Sequence, residues 1–366
     1  MLKKFHAMIW TAVFTVLPLF AAPDVAFSAD GKAVQRCNNK DIAYFQIPDK
    51  VTTIRYNAFY NCSSLTVTVP PSVTEIEPAA LGGVRKVILQ PGNPRYYQTD
   101  RGLLIDRDKK TLIHAPLSYT GICRVPDGIE VIGQRAFYNC AGIVSVTLPS
   151  SVRHIREGAF TNCSSLASVK LNTGLRSIES FAFGNCSRLR NIVIPATVRN
   201  IESAAFFQTG RVDLSPHNPN FKLTPERVLI DLRKQCLLYA PPDIKGKFVV
   251  PTGIKVIGHG AFYECAALKA IILPAGLRQI ERAAFFESGL AKVDIPASVR
   301  KIGNGAFGNC DSLEKVSIRG AAEIETSAFG FCDGKEPKIM TVIRVSKRVK
   351  AKPDAFGQCE VKRVLD

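Results

Sequence analysis

Apolar and small residues recur along this chain at one spacing. The phrase Ala-Phe-x-x-Cys appears at Ala58 to Cys62, Ala136 to Cys140, Ala159 to Cys163 and Ala182 to Cys186. It returns at Ala261 to Cys265, Ala306 to Cys310, Ala328 to Cys332 and Ala355 to Cys359. Ala205-Phe206 and Ala284-Phe285 keep the aromatic but carry Thr209 and Ser288 at the cysteine place, and Ala80-Leu81 is a degenerate copy. The phenylalanines are 23 residues apart from 137 to 206, then 23, 22 and 22 apart from 262 to 329. A period of this length predicts a solenoid rather than several globular domains.

Between these phrases runs L-x-x-V-x-I-P, as in Leu189 to Pro195, which alternates and ends in a breaker. That pattern predicts a short strand with one buried face. The following V-x-x-I, as in Val198 to Ile201, predicts a second extended segment on another side. Ala-Phe-x-x-Cys is too short for an independent helix. We expect it as a 3₁₀ or single helical turn with Phe and Cys pointing inward. No unit buries its apolar residues alone, so neighbours must stack into one continuous core.

Two steps are long, 56 residues each, from Leu81 to Phe137 and from Phe206 to Phe262. Their contents match at an offset of 125: Asn93-Pro94, Leu104-Ile105-Asp106, Ala115-Pro116 and Val125-Pro126 against Asn218-Pro219, Leu229-Ile230-Asp231, Ala240-Pro241 and Val250-Pro251. A block carrying the insert has been duplicated. We expect enlarged coils holding hairpin strands at about 90–130 and 215–255, because turn dipeptides separate short apolar runs.

On the 22–23-residue period, I-P-x-x-V-x-x-I and A-F-x-x-C, repeated about ten times in phase, the chain resembles the BspA-like (treponemal-type) bacterial leucine-rich repeats over roughly residues 47–366. The N-P-x-F…L-I-D…P insert also looks typical of that family. The resemblance implies a right-handed, curved, β-rich stack. It also implies a secreted or surface-exposed protein, with adhesion to host matrix or cell-surface proteins as the expected activity. Departures are Leu81, Thr209, Ser288, Asn172 at a proline place, and an irregular 27-residue last step with a Lys-rich stretch from Lys335 to Lys352.

The ends and the charge add to this picture. Lys3 and Lys4, an apolar stretch to Ala22, and Ala26-Phe27-Ser28 before Ala29 read as a signal peptide over 1–28, with an N-terminal cap over 29–46. No other apolar run approaches the ~18–20 residues of a membrane span, so none is expected after cleavage. The expected location is secreted, periplasmic or on the outer cell surface. The balance of 48 Lys+Arg over 31 Asp+Glu gives +17, which promotes salt-sensitive association with polyanions. Part of it is periodic. Arg153, Arg176, Arg199, Arg278 and Arg300 follow the V of V-x-x-I, with Lys255 at the same place. Stacked, they form a stripe. Glu179, Glu202 and Glu281 follow three residues later, and we expect them to pair with their own arginines. The stripe is a candidate site for acidic glycans, namely sulfated glycan or envelope polysaccharide. No aromatics interleave with it, which argues against specific nucleic-acid binding.

Outward strand positions carry Ser145, Thr147, Ser168, Lys170, Lys292 and Lys315, a mixed surface suited to a protein ligand. Solenoids commonly bind partners on such extended faces. A purely structural envelope role is the third reading. Eight of the 11 cysteines share one repeat phase. Thr209 and Ser288 replace them there, which suits a small, half-polar buried slot. Stacked strands ~4.8 Å apart also permit a ladder disulfide, and Cys37 is placed to staple the cap. The histidines are dispersed, and no H-E-x-x-H, G-x-S-x-G or P-loop occurs. We expect no enzyme activity, no metal and no cofactor.

Overall fold

The computed structural model describes residues 24–190, 192–330, 342–357 and 359–364. Within them the chain is a β-solenoid of about 14 turns with no helix. Each ordinary coil contributes one long and one two-residue strand. The long strands pair in parallel from coil to coil, as Ser145, Val146 and Thr147 pair with Ser168, Val169 and Lys170. The two-residue strands do the same on a second side, as His154 and Ile155 pair with Ser177 and Ile178. Alternation decides which residues enter the core. Val146 and Ile155 are fully buried, while Ser145 and His154 between them and solvent are not.

The Ala-Phe-x-x-Cys segment departs from the helical turn expected of it. It forms a chain of tight turns, and two left-handed residues explain why. The residue before Ala has positive φ in coil after coil: Asn57, Arg135, Gly158, Phe181, Gly260, Gly305. So does the residue before Cys: Asn61, Asn139, Asn162, Asn185, Asn309. Asparagine and glycine tolerate that region better than other residues. With the chain kinked twice, amides alternate between local and neighbouring partners. Phe137 and Asn139 donate to Ala159 and Thr161 of the next coil, at 2.8 and 3.0 Å, while Cys140 donates locally to Phe137, at 3.1 Å. A helix would keep all of these bonds within one coil.

The phenylalanines form a column through the core. Phe137, Phe160, Phe183 and Phe206 stack with centroids 4.8, 5.3 and 5.8 Å apart. Phe262, Phe285, Phe307 and Phe329 continue at 5.0 Å intervals. Cys163 and Cys186 donate to the carbonyls of Phe137 and Phe160 in the preceding coil, both at 3.1 Å. Thr209 Oγ1 makes the same bond to Phe183 O. The slot therefore takes a small side chain that donates a hydrogen bond, whether thiol or hydroxyl. All ten described cysteines are free, and nine of them are buried. Burial pushes the thiols of Cys140 and Cys186 up to about 12, so they stay protonated and unreactive.

Each enlarged coil holds an antiparallel three-strand unit: Tyr96–Gln98, Leu104–Asp106 and Thr111–His114 in the first, Phe221–Leu223, Leu229–Asp231 and Cys236–Tyr239 in the second. The last strand of each rejoins the stack in parallel, with Thr111 beside Val131 and Cys236 beside Val256. The hydrophobic core divides into three clusters near these inserts. Duplication has not preserved every interaction. Asp106, almost fully buried, accepts Arg95 Nε at 3.0 Å. Its counterpart Asp231 is fully buried, but Asn220 stands where Arg95 does, and Asp231 Oδ2 has no hydrogen-bond partner.

At the N-terminus the expected signal segment lies largely outside the described residues. Its final residues do not. Val25–Phe27 is a strand paired antiparallel with Ala33–Cys37, and Val25 is buried. The folded body therefore starts ahead of the expected boundary at 28, and cleavage after Ser28 would strip its first strand. The Lys-rich stretch lies outside the described residues from Lys335 to 341. No helix among the described residues is long and apolar enough to cross a membrane.

Candidate ligand-binding faces

The twelve expected binding residues fall on two separate ladders rather than in one site. The six cations lie beside the two-residue strands, in two columns joined backbone to backbone. Arg176 N–H donates to Arg153 O at 2.8 Å, and Arg199 N–H to Arg176 O at 2.9 Å. Beyond the second enlarged coil, Arg278 donates to Lys255 and Arg300 to Arg278, both at 2.8 Å. The insert between them adds its own cations to the line. Arg233 Nη2 reaches Arg199 O at 3.0 Å, and Lys234 Nζ reaches Asn200 Oδ1 at 2.7 Å. Glu130 and Glu323 close the two ends through backbone bonds to Arg153 and Arg300.

The expected pairing of each arginine with its own glutamate does not occur. Glu179 accepts Arg156 Nη1 at 2.5 Å and the Glu157 N–H at 3.0 Å. Glu202 accepts the Ser180 N–H and hydroxyl, both at 2.9 Å. Glu281 accepts the His259 N–H at 2.8 Å. Each of these amides immediately precedes a left-handed residue, Gly158, Phe181 or Gly260. The kink turns the amide away from backbone acceptors, and a glutamate of the next coil satisfies it. An otherwise orphaned amide costs about 1–3 kcal/mol, more than an exposed ion pair contributes. Arg153, Arg176, Arg199, Lys255, Arg278 and Arg300 consequently form no ion pair among the described residues.

The other six positions lie on the long-strand ladder. Ser145 and Ser168 are paired, and their hydroxyls bond at 2.9 Å. Thr147 faces Lys170, and Lys292 faces Lys315. One feature of this face was missed in the sequence. Eight of the ten exposed large apolar side chains among the described residues lie on it: Tyr44, Ile88, Ile122, Val144, Val193, Val249, Ile272 and Val361. Most of them alternate with buried residues along their strands, a pattern legible in the sequence.

Clefts open where the enlarged coils meet the stack. The second, of about 970 Å³, is lined by Asn185, Arg190, Arg211, Asp243, Lys245 and Tyr263, among others. The corresponding cleft of the first block is about 390 Å³. There Arg101 lies over the Tyr119 ring at 3.9 Å and bonds to the Thr120 and Ile122 carbonyls, both at 2.8 Å. A chain of asparagine side chains ends at the larger cleft. Asn162 donates to Asn139 and Asn185 to Asn162, both at 2.8 Å, which leaves Asn185 Oδ1 without a partner. A third cleft near the C-terminal end includes Arg300, Arg319 and Arg344. Among the described residues, no group of three or more His, Cys, Asp and Glu is arranged to hold a metal.

A profile of the BspA-type leucine-rich repeat region matches the chain in six copies, over residues 33–88, 120–218 and 244–362. The chain belongs to the BspA-type leucine-rich repeat family. These repeats cover most of the solenoid and leave out most of both enlarged coils. The pneumococcal vaccine antigen PcpA has a similar fold, with 19% identity, a TM-score of 0.50, and coverage of 88% of this chain and 82% of that one. A leucine-rich cell surface protein from Faecalibacterium prausnitzii aligns at 19% identity and a TM-score of 0.48, covering 93% of this chain and 97% of that one. No curated protein gives a significant match.

Proposed function

We propose that this BspA-type repeat protein is an exported, surface-displayed binding module whose long-strand ladder engages a protein ligand, with adhesion to host matrix or cell-surface proteins as its role. The concentration of exposed apolar side chains on the long strands carries the reading. Apolar patches rimmed by polar groups mark protein interaction surfaces. Here Ile122 stands beside Ser145, and Val249 beside the exposed Ile272. Family membership supports the setting. Purified protein should bind saturably to at least one member of an immobilised matrix-protein panel. Ile122→Asp and Val249→Asp should each weaken that binding by about tenfold, the range of a central interface residue. Absence of saturable binding to every panel member, or binding indifferent to both changes, would sink the reading.

The unpaired cationic columns favour a second activity, binding of acidic glycans. Side chains with no intramolecular counter-ion are available to an external one, and polyanion contacts release counter-ions. Arg153→Ala, Arg176→Ala and Arg199→Ala together should elute earlier from immobilised heparin. Their logarithmic salt dependence should flatten by about one unit per arginine. Unchanged elution would remove the columns from consideration.

A further inference from the structure

The corner between the long and the two-residue strands has a constant length in ordinary coils. Seven positions separate Ile295 from Ile302, as they do Ile194 from Ile201 and Leu148 from Ile155. The two C-terminal coils break this rule. Six positions separate Ile318 from Ile324 and Val345 from Ala351. The proline that opens the ordinary corner, Pro296 in the preceding coil, is replaced by Arg319 and then by Ser346.

Contraction draws the corner hard against its neighbour. A Cβ at Gly320 would lie 2.4 Å from the Ala297 carbonyl oxygen, so only glycine fits there. Beside it opens a cleft of about 730 Å³, lined by Arg300, Arg319, Arg344 and Arg348 together with Ser317 and Ser346, and by no acidic residue among the described ones. Arg300 uses Nη1 on the Ala297 carbonyl at 2.7 Å, which holds the guanidinium at the cleft. Arg319 has Asp294 at 3.8 Å, with both side chains about two-thirds exposed at 66% and 71%. An ion pair so exposed contributes little. Arg344 stands on the neighbouring long strand, paired in register with Ser317.

We propose that this cleft binds a tetrahedral oxyanion, a sulfate or phosphate group, carried on an acidic glycan whose chain follows the Lys255–Arg278–Arg300 column. The proposal rests on the second reading above and localises its anchoring site. Guanidinium forks match the oxygens of such groups two at a time. A cleft lined by one sign of charge focuses the field on an incoming anion. An arriving anion lowers the mutual repulsion of these guanidinium groups. Arg300 belongs to both the column and the cleft, so a polymer lying along the column reaches the cleft without a break.

The test measures binding of a sulfated heparin hexasaccharide and, separately, of inorganic polyphosphate, each at several salt concentrations. Three proteins are compared: the wild type, an Arg319→Gln/Arg344→Gln variant, and a column variant, Lys255→Ala/Arg278→Ala. Both cleft side chains are exposed, so the thermal midpoint of that variant should match wild type. The cleft variant should bind at least one probe tenfold or more weakly, with a salt slope flatter by about two. Tighter binding of the hexasaccharide assigns sulfate, and tighter binding of polyphosphate assigns phosphate. Wild-type affinity and slope in the cleft variant, with loss in the column variant, would overturn the cleft while leaving the column standing. Failure of wild type to bind either probe would remove both. Cleft-dependent binding of a single-stranded oligonucleotide tighter than either probe would overturn the assignment to a glycan.

Discussion

Phe160→Ala is expected to lower the unfolding free energy of the array by about 3–5 kcal/mol, the usual cost of emptying a buried aromatic site. The ring is fully buried and lies between Phe137 and Phe183, nearly parallel to both. Truncation removes contacts with the coil on either side. In a solenoid, stability is carried by such nearest-neighbour interfaces. The site cannot collapse to fill the void, because backbone bonds such as Phe160 N–H to Ala182 O, at 2.8 Å, hold the coils at fixed spacing. Phe181→Ala provides the contrast. Phe181 lies at the rim of the equivalent turn in the next coil, half-buried, with edge contacts to Phe207 and His259. Denaturant titrations of the two variants should differ by several-fold in lost stability. Equal losses, or a loss under 1 kcal/mol for Phe160→Ala, would refute the account of the column.

A second large effect is expected from pH. His114 is buried on the last strand of the first enlarged coil, and its Nε2 has no partner. Burial lowers its pKa from 6.5 to about 4, against a smaller opposing contribution from the Leu81 backbone. The unfolded chain therefore binds a proton that the folded chain refuses between these values. Stability from this residue is complete above pH 6.5 and is lost as the pH falls toward 4. The loss amounts to about 3 kcal/mol, at 1.36 kcal/mol per pKa unit. His114→Gln abolishes the titration. The difference in stability between wild type and variant should therefore shift by that amount between pH 7 and 4. A difference that stays constant over the range would show that His114 is not held neutral. The duplicated coil supplies a comparison, since Tyr239 takes the equivalent place and donates its hydroxyl to the Thr209 and Gly210 carbonyls at 2.5 and 2.6 Å.

Much of this architecture was readable from the residues. The Phe and Cys positions recur at a fixed interval, so their shared burial follows from stacking alone. The proline after each long strand marked the strand's end, and the 125-residue offset revealed both enlarged coils. The hydroxyls of Thr209 and Ser288 disclosed the polar character of the cysteine slot. Their bonds differ in detail. Thr209 bonds to Phe183 O, whereas Ser288 Oγ lies 3.4 Å from Cys310 Sγ. Asparagine before cysteine is itself a sequence signal for a left-handed residue. It excludes the helical turn.

By itself, then, the sequence determined the repeat, its phase and the residues that face the core, because an apolar side chain in a solenoid has one place to go. It also determined that Arg153, Arg176 and Arg199 share a column, since equal spacing puts equal positions in register. The tertiary structure alone decided which groups those columns leave unpaired. Glu179, Glu202 and Glu281 are close to their arginines in sequence, yet they serve amides of the preceding coil about 22 residues back. Likewise, a corner one residue short is a small change along the chain, and only stacking turns it into a cleft lined by four arginines. The physical reason is common to both. In a solenoid the strongest demands on a polar group come from the adjacent coil, and the exact geometry of that contact depends on the kinks and contractions of two coils together.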